Sequence, residues 1–151
     1  MESVLQNVNT DNNGRYIFSG TKTSTSPFSG TRDSNGRISS VSYNGNNEEI
    51  KHQIGSNTYI QVNTPGGALF QDNAIFSTLI SMRDELESST YDSSTFLGLR
   101  NNLDTATNTI LTETTNFGAK ANRLELTTNS LNNSLAALKE SISYTDDADV
   151  A

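Results

Sequence analysis

Cysteine is absent, which removes disulfides, thiolate metal sites and thiol nucleophiles together. Tryptophan is absent too, and apolar residues fill only 32% of the 151 positions, so any core must be thin. The single histidine, His52, would have to serve any Ser-His-Asp arrangement, and a metal site would rest on carboxylates alone. Neither Glu48-Glu49 nor Asp84-Glu85-Glu87 has the alternating ligand spacing of a calcium loop. No glycine pattern suits a phosphate cradle, and no apolar run reaches the length of a membrane span. The amino terminus, Met1-Glu2-Ser3-Val4-Leu5, carries neither a basic start nor an apolar stretch, so export, if it occurs, uses no cleaved signal. Basic residues are outnumbered, leaving a net charge of −7 that repels nucleic acid. These absences predict no catalytic, cofactor or metal site, no nucleic-acid partner and no membrane partner.

What is present is Ser, Thr and Asn, which fill more than a third of the chain. Val4, Leu5 and Val8 at helical spacing predict the end of an amino-terminal helix within 1–14. A β-rich region follows over 15–70. Arg15 to Gly20 reads as a short strand, and Thr21 to Gly30 as a loop anchored by Pro27-Phe28. Arg37–Tyr43, Glu48–Ile54 and Thr58–Asn63 are separated by Asn44-Gly45 and Gly55-Ser56-Asn57, and so predict a three-stranded antiparallel meander with His52 half-buried between Ile50 and Ile54. A helical segment occupies 71–151. Its short helix, about 73–87, is capped by Asp72 or Asn73, and its long helix, about 94–143, is capped by Ser93 or Ser94. The predicted class is α+β: an elongated helical rod dominated by one long carboxyl-side helix, packed with a shorter helix and a small antiparallel hairpin or meander region.

The long helix carries a narrow apolar seam. Phe96, Leu99, Leu103, Ala106 and Ile110 recur at three- and four-residue strides, and after a stutter the pattern continues through Phe117, Leu124, Leu131, Leu135, Leu138 and Ile142. Its outward positions are rich in Thr, Asn and Ser, each worse than Ala in a helix, so burial of the seam has to offset several kcal/mol. The short helix is too short to cover it all, and more chain or another molecule is expected on the remainder. Gly118, mid-helix, costs about 1 kcal/mol relative to Ala and suggests close approach of another backbone. Arg123 and Glu125 are candidate partner-choosing charges, with a solvated pair as the plain alternative. The candidate packing and subunit interface is therefore Phe117, Gly118, Arg123, Leu124, Glu125, Leu131, Leu135 and Leu138, with simple packing inside one molecule as the alternative for each leucine.

Several segments carry a family resemblance. Asn13-Gly14-Arg15-Tyr16-Ile17-Phe18-Ser19-Gly20-Thr21, Tyr43-Asn44-Gly45 with Glu48-Glu49-Ile50, Tyr59-Ile60-Gln61-Val62-Asn63-Thr64-Pro65-Gly66 and Phe76-Ser77-Thr78-Leu79-Ile80 resemble the hook-filament junction family, hook-associated protein 3, of the flagellin superfamily. Gly118-Ala119-Lys120, Asn122-Arg123-Leu124-Glu125 and the acidic Asp146-Asp147-Ala148-Asp149 are similar to the carboxyl-side helix shared across that superfamily. The resemblance implies a catalytically inert extracellular subunit of the bacterial flagellum, exported through the type III apparatus. It implies self-association in a flagellar layer, with hook-associated protein 1, flagellin, and the export apparatus and its chaperone as partners. Family members are longer at both ends, so a trimmed or truncated copy is expected. Two alternatives stay open: a flagellin filament subunit, and a secreted hydrolase or binding module using His52 or Tyr59 of the β region.

Overall fold

The chain begins with a short helix, α1 (Glu2–Val8), whose Val8 is buried and whose Val4 and Leu5 pack at the core margin. The computed structural model describes residues 1–72 and 74–149, with side chains through Tyr144. Glu2 anchors α1 by a two-pronged pairing with the Arg32 guanidinium at 2.6 and 3.0 Å. A two-residue hairpin follows, β1 (Asp11–Asn12) against β2 (Arg15–Tyr16). Asn13 and Gly14 turn it with φ of 53° and 75°, the left-handed pair a tight hairpin needs. The strand expected over 15–20 is therefore cut to two residues. Beyond Tyr16 the chain curls: the Ser19 hydroxyl donates to the Tyr16 carbonyl and Gly20 takes a φ of 67°.

Two further ribbons complete the β region. β3 (Phe28–Arg32) pairs antiparallel with β4 (Ile38–Tyr43), and β5 (Lys51–Gly55) pairs antiparallel with β6 (Thr58–Gln61). The expected meander of β4, β5 and β6 is thus replaced by three separate two-stranded ribbons. Asn44-Gly45 is no hairpin, because the Asn44 amide is taken by the Pro27 carbonyl at 2.7 Å and its side chain by the Ser29 hydroxyl at 3.1 Å. β4 is thereby tied back to β3. The loop expected over 21–30 loses its end to β3, although Pro27 and Phe28 are buried as an anchor should be.

Asparagine side chains stand in for missing strands. A primary amide carries both a donor and an acceptor, as a peptide does, and so can pair with a backbone edge. Asn9 donates to the Phe28 carbonyl and accepts from the Phe28 amide, both at 2.9 Å. Asn63 accepts from the Ile50 amide at 2.7 Å and donates to the Glu48 carbonyl at 3.0 Å. Asn46 accepts from the Thr21 amide at 2.8 Å and donates to its hydroxyl at 2.7 Å. Among the described residues no buried side-chain polar atom lacks a partner.

The core is aromatic and centred on Phe28. Its ring lies 5.0 Å from Tyr43, 5.9 Å from Phe70 and 5.6 Å from Phe76, while Phe18 meets Phe70 edge-on at 5.1 Å. Phe70 is delivered by a π-helical turn, Gly67–Gln71, that directly follows Thr64-Pro65-Gly66. Gly66 is required by close approach: a Cβ there would sit 2.8 Å from the Phe18 carbonyl oxygen and 2.9 Å from the Phe28 ring. α2 (Ile75–Glu87) then lays Ile75, Phe76 and Thr78 into the core. Its expected side-chain cap is not made, because Asp72 is still in right-handed conformation at the end of the π turn and Ala74 enters with a φ of 51°. Asn73, the other expected cap, lies outside the described residues.

The last element, α3 (Ser93–Asp149), runs for 57 residues and continues past the expected end near Ser143. At about 1.5 Å per residue it is roughly 85 Å long. The side chains of the acidic motif, Asp146-Asp147-Ala148-Asp149, lie outside the described residues. Asp92, not Ser93 or Ser94, caps it. The Asp92 carboxylate accepts from the Ser94 and Thr95 amides and from both hydroxyls, at 2.7 to 3.2 Å. These bonds, the Thr95 and Ser94 hydroxyls foremost, lower its pKa to about 2.

Candidate functional site

The seam of α3 changes character along its length. Over its first third, Phe96, Leu99, Leu103 and Ile110 are half-buried and Ala106 is 2% exposed, covered by α2 and the π-helical turn. Arg83 of α2 supports this cover by donating to the Ile38 carbonyl at 2.7 Å. Where the cover ends, two open clefts remain. One, of about 290 Å³, lies between Phe18, Leu69 and Phe70 on one side and Ile110 and Phe117 on the other. A smaller one brings Ile60 and Val62 near Phe117, Ala121 and Leu124.

Beyond that point the seam is bare. Phe117 is 42% exposed and Leu124 37%, and exposure then reaches 62% at Leu131, 51% at Leu135 and 60% at both Leu138 and Ile142. A leucine at such exposure retains most of its unfavourable contact with water, and a contiguous row of them is unusual on a monomer. Among the described residues, none covers Leu131, Leu135 or Leu138.

The remaining candidates sit differently. Gly118 has open space where a Cβ would be, and among the described residues no other element comes within 4 Å of that position. Arg123 and Glu125 are exposed and form no ion pair with each other or with another described residue. Lys120 stands 5.5 Å from the centre of the Phe117 ring, a cation–π contact at the edge of the seam.

The polar face has its own local chemistry, which composition alone did not disclose. Thr105, Thr107, Thr112, Thr114, Thr115, Thr127 and Thr128 each turn the hydroxyl back onto the carbonyl four residues earlier, at 2.8 to 3.0 Å. These bonds give each hydroxyl proton a local acceptor within the helix.

His52 is exposed on β5, in register with Ile60, and not half-buried as its neighbours had suggested. Among the described residues its imidazole has no hydrogen-bond partner. Tyr59 is 57% exposed. Tyr43 is held in a defined polar setting, its hydroxyl 2.9 Å from the Phe18 carbonyl and 2.8 Å from the Asn46 carbonyl; burial raises its pKa. It braces the core. Among the described residues no group of three His, Cys, Asp or Glu side chains is placed to hold a metal ion, and no helix is long and apolar enough to cross a membrane.

Residues 101–151 match the bacterial flagellin C-terminal helical region. The chain shares its fold with a solved structure assigned as a flagellar hook-associated protein from Vibrio parahaemolyticus, at 20% identity and a TM-score of 0.66 over 83% of this chain and 56% of that one. A flagellar hook associated protein-3 from Legionella pneumophila matches at 31% identity and a TM-score of 0.38, over 46% of this chain and 20% of that one. The chain thus spans little more than half the length of the first structure. None of the curated proteins matches it.

Proposed function

We propose that this chain is a flagellin-family protein of the hook-associated type and a structural subunit of the bacterial flagellum that joins hook to filament. The observation that carries the reading is a flagellin-type helix whose apolar seam is left bare over Leu124 to Ile142. A surface of that kind is used by contact with another helix, and needs no reactive group. Phe117, Leu124, Leu131, Leu135 and Leu138 supply the packing surface, Gly118 admits a close backbone, and Arg123 and Glu125 select the neighbour. The partners are like subunits in one layer, hook-associated protein 1 on one side and flagellin on the other. The export apparatus with its chaperone delivers the chain outside the cell.

The test is assembly. Added to flagellin monomers, the protein should bind filament ends and limit or seed growth, and Leu131→Asp should abolish this and swimming together. Long filaments from this protein alone would favour a filament subunit instead. Hydrolysis of any substrate that is lost in His52→Ala would favour the enzyme reading, and normal swimming of the Leu131→Asp strain would count against the seam.

A further inference from the structure

We infer that Asn44 is a site of spontaneous deamidation in the folded chain, while the other two Asn-Gly pairs, Asn13-Gly14 and Asn35-Gly36, are held back by their turns. The reaction needs only water. The glycine nitrogen loses its proton and attacks Cγ of the preceding asparagine. The new C–N bond closes a cyclic imide, and the side-chain nitrogen takes up a proton and leaves as ammonia. Water then opens the imide. Breaking the bond from nitrogen to Cγ gives aspartate, and breaking the bond from nitrogen to the main-chain carbonyl carbon gives isoaspartate, whose backbone is one atom longer. Glycine favours the attack because no Cβ obstructs the approach of its nitrogen.

What separates the three pairs is how the glycine nitrogen is held. The Gly14 amide donates to the Asp11 carboxylate at 2.8 Å, inside a hairpin turn where Asn13 and Gly14 both have positive φ. The Gly36 amide donates to the Asp33 carbonyl at 3.0 Å, and the Asp33 carboxylate accepts from the amides of Asn35 and Arg37, both at 2.9 Å. In each turn the proton to be lost is already bonded, and a carboxylate beside the nitrogen disfavours its anion. Both restraints are supplied from within the turn itself. Asn44-Gly45 has neither: Gly45 lies outside the positive-φ region, and among the described residues its amide donates to no acceptor. The exposed Asn44 side chain is held through its nitrogen alone, by the Ser29 hydroxyl at 3.1 Å and the Ser26 carbonyl at 3.5 Å, long bonds that exchange readily for water.

The fold keeps this reactive pair for two unrelated reasons. Asn44 ties β4 to β3, and Gly45 lies so close to the Tyr43 ring that a Cβ would stand 2.5 Å from its hydroxyl. Conversion to either product removes the donor to Ser29 and adds a negative charge to a chain already at −7. Isoaspartate does more, because its extra backbone atom falls between Tyr43 and Asn46, whose carbonyl accepts from the Tyr43 hydroxyl at 2.8 Å. The brace at the core margin is thereby displaced, and the converted chain melts at a lower temperature than the parent.

The three pairs fall in separate tryptic peptides, 1–15, 33–37 and 38–51, so each can be followed by fragment mass and by labelling with an isoaspartyl methyltransferase. In the folded full chain held in mildly basic buffer, Asn44 should convert several-fold faster than Asn13 or Asn35, and in concentrated urea the three rates should converge. Asn44→Ser should leave peptide 38–51 unlabelled. Asp11→Ala, which frees the Gly14 amide at an exposed turn, should raise the Asn13 rate several-fold without moving that of Asn44. Folded-state conversion at Asn13 or Asn35 as fast as at Asn44, a peptide 38–51 that gains no isoaspartate, a spread of rates that survives in urea, or an Asn13 rate unmoved by Asp11→Ala would each overturn the inference.

Discussion

Ile110 and Ile142 offer a controlled comparison, because they are the same residue on the same seam of the same helix in different surroundings. Ile110 is half-buried and packs against the core cluster, whereas Ile142 is 60% exposed. Replacement of a fully buried isoleucine by alanine costs about 2–5 kcal/mol, so Ile110→Ala should cost roughly 1.5–2.5 kcal/mol. A few tenths of a kcal/mol return through the better helix propensity of alanine. Ile142→Ala has no cavity to leave and should fall within about 0.5 kcal/mol of the parent, or slightly stabilise it. Urea unfolding, followed by the near-ultraviolet signal of the five tyrosines and run dilute enough to keep the chain monomeric, reads both values. An Ile142→Ala loss as large as that of Ile110→Ala would mean that the chain covers its own seam. The reasoning about partners would then fail at its first step.

Asn9→Ala strips the Phe28 amide and carbonyl of their partners at once and should destabilise the fold by about 1–3 kcal/mol, with Asn9→Asp, which keeps the acceptor but not the donor, no better than partial rescue; a loss below 0.5 kcal/mol in thermal unfolding would contradict the strand-substitute role. Asp92 has a folded pKa of about 2, below the ordinary aspartate value, so its capping contribution is present above that ordinary value and fades as pH falls through the folded one. The stability gap between the parent and Asp92→Ala should therefore shrink between neutral pH and pH near 2, while the gap between Asp92→Asn and Asp92→Ala should stay constant across that range; a parent gap independent of pH would show that the cap is not made by the carboxylate.

The helices and the seam were legible because a repeat near three and a half residues survives any local detail. The same reading found the covered and bare parts, since α2 is too short to span α3. The strands themselves were legible in β4, β5 and β6, but their partners were not. Pairing was decided by single amide side chains, Asn9, Asn44 and Asn63, which compete with backbone edges and look in sequence like ordinary turn residues. β3 escaped notice because only Phe28 of its five residues is buried, and Ser29, Gly30, Thr31 and Arg32 carry no alternation. The aromatic core was equally hidden, since Phe18, Phe28 and Phe70 lie outside any periodic segment. At the start of α3, Asp92, Ser93 and Ser94 can all cap a helix, and the carboxylate prevails because it accepts several bonds at once. Along α3, the spacing of the leucines marked one face of the helix, and their exposure needed the coordinates. That Arg123 and Glu125 do not pair needed the coordinates.

The bare stretch of α3 also bears on how the molecule uses it. Helices gain most of their stability in proteins from packing, and a sequence rich in Thr, Asn and Ser is a poor helix by itself. Among the described residues, α3 from Phe117 onward borders an open cleft shared with Ile60 and Val62 and carries local hydroxyl bonds, while the first third is fixed by the core. Cover over Leu124 to Ile142 therefore contributes twice, through apolar area removed from water and through helix that would otherwise fray. Any partner that binds the seam is coupled to the ordering of the helix that carries it. That coupling lowers net affinity and makes attachment reversible until many neighbours act together.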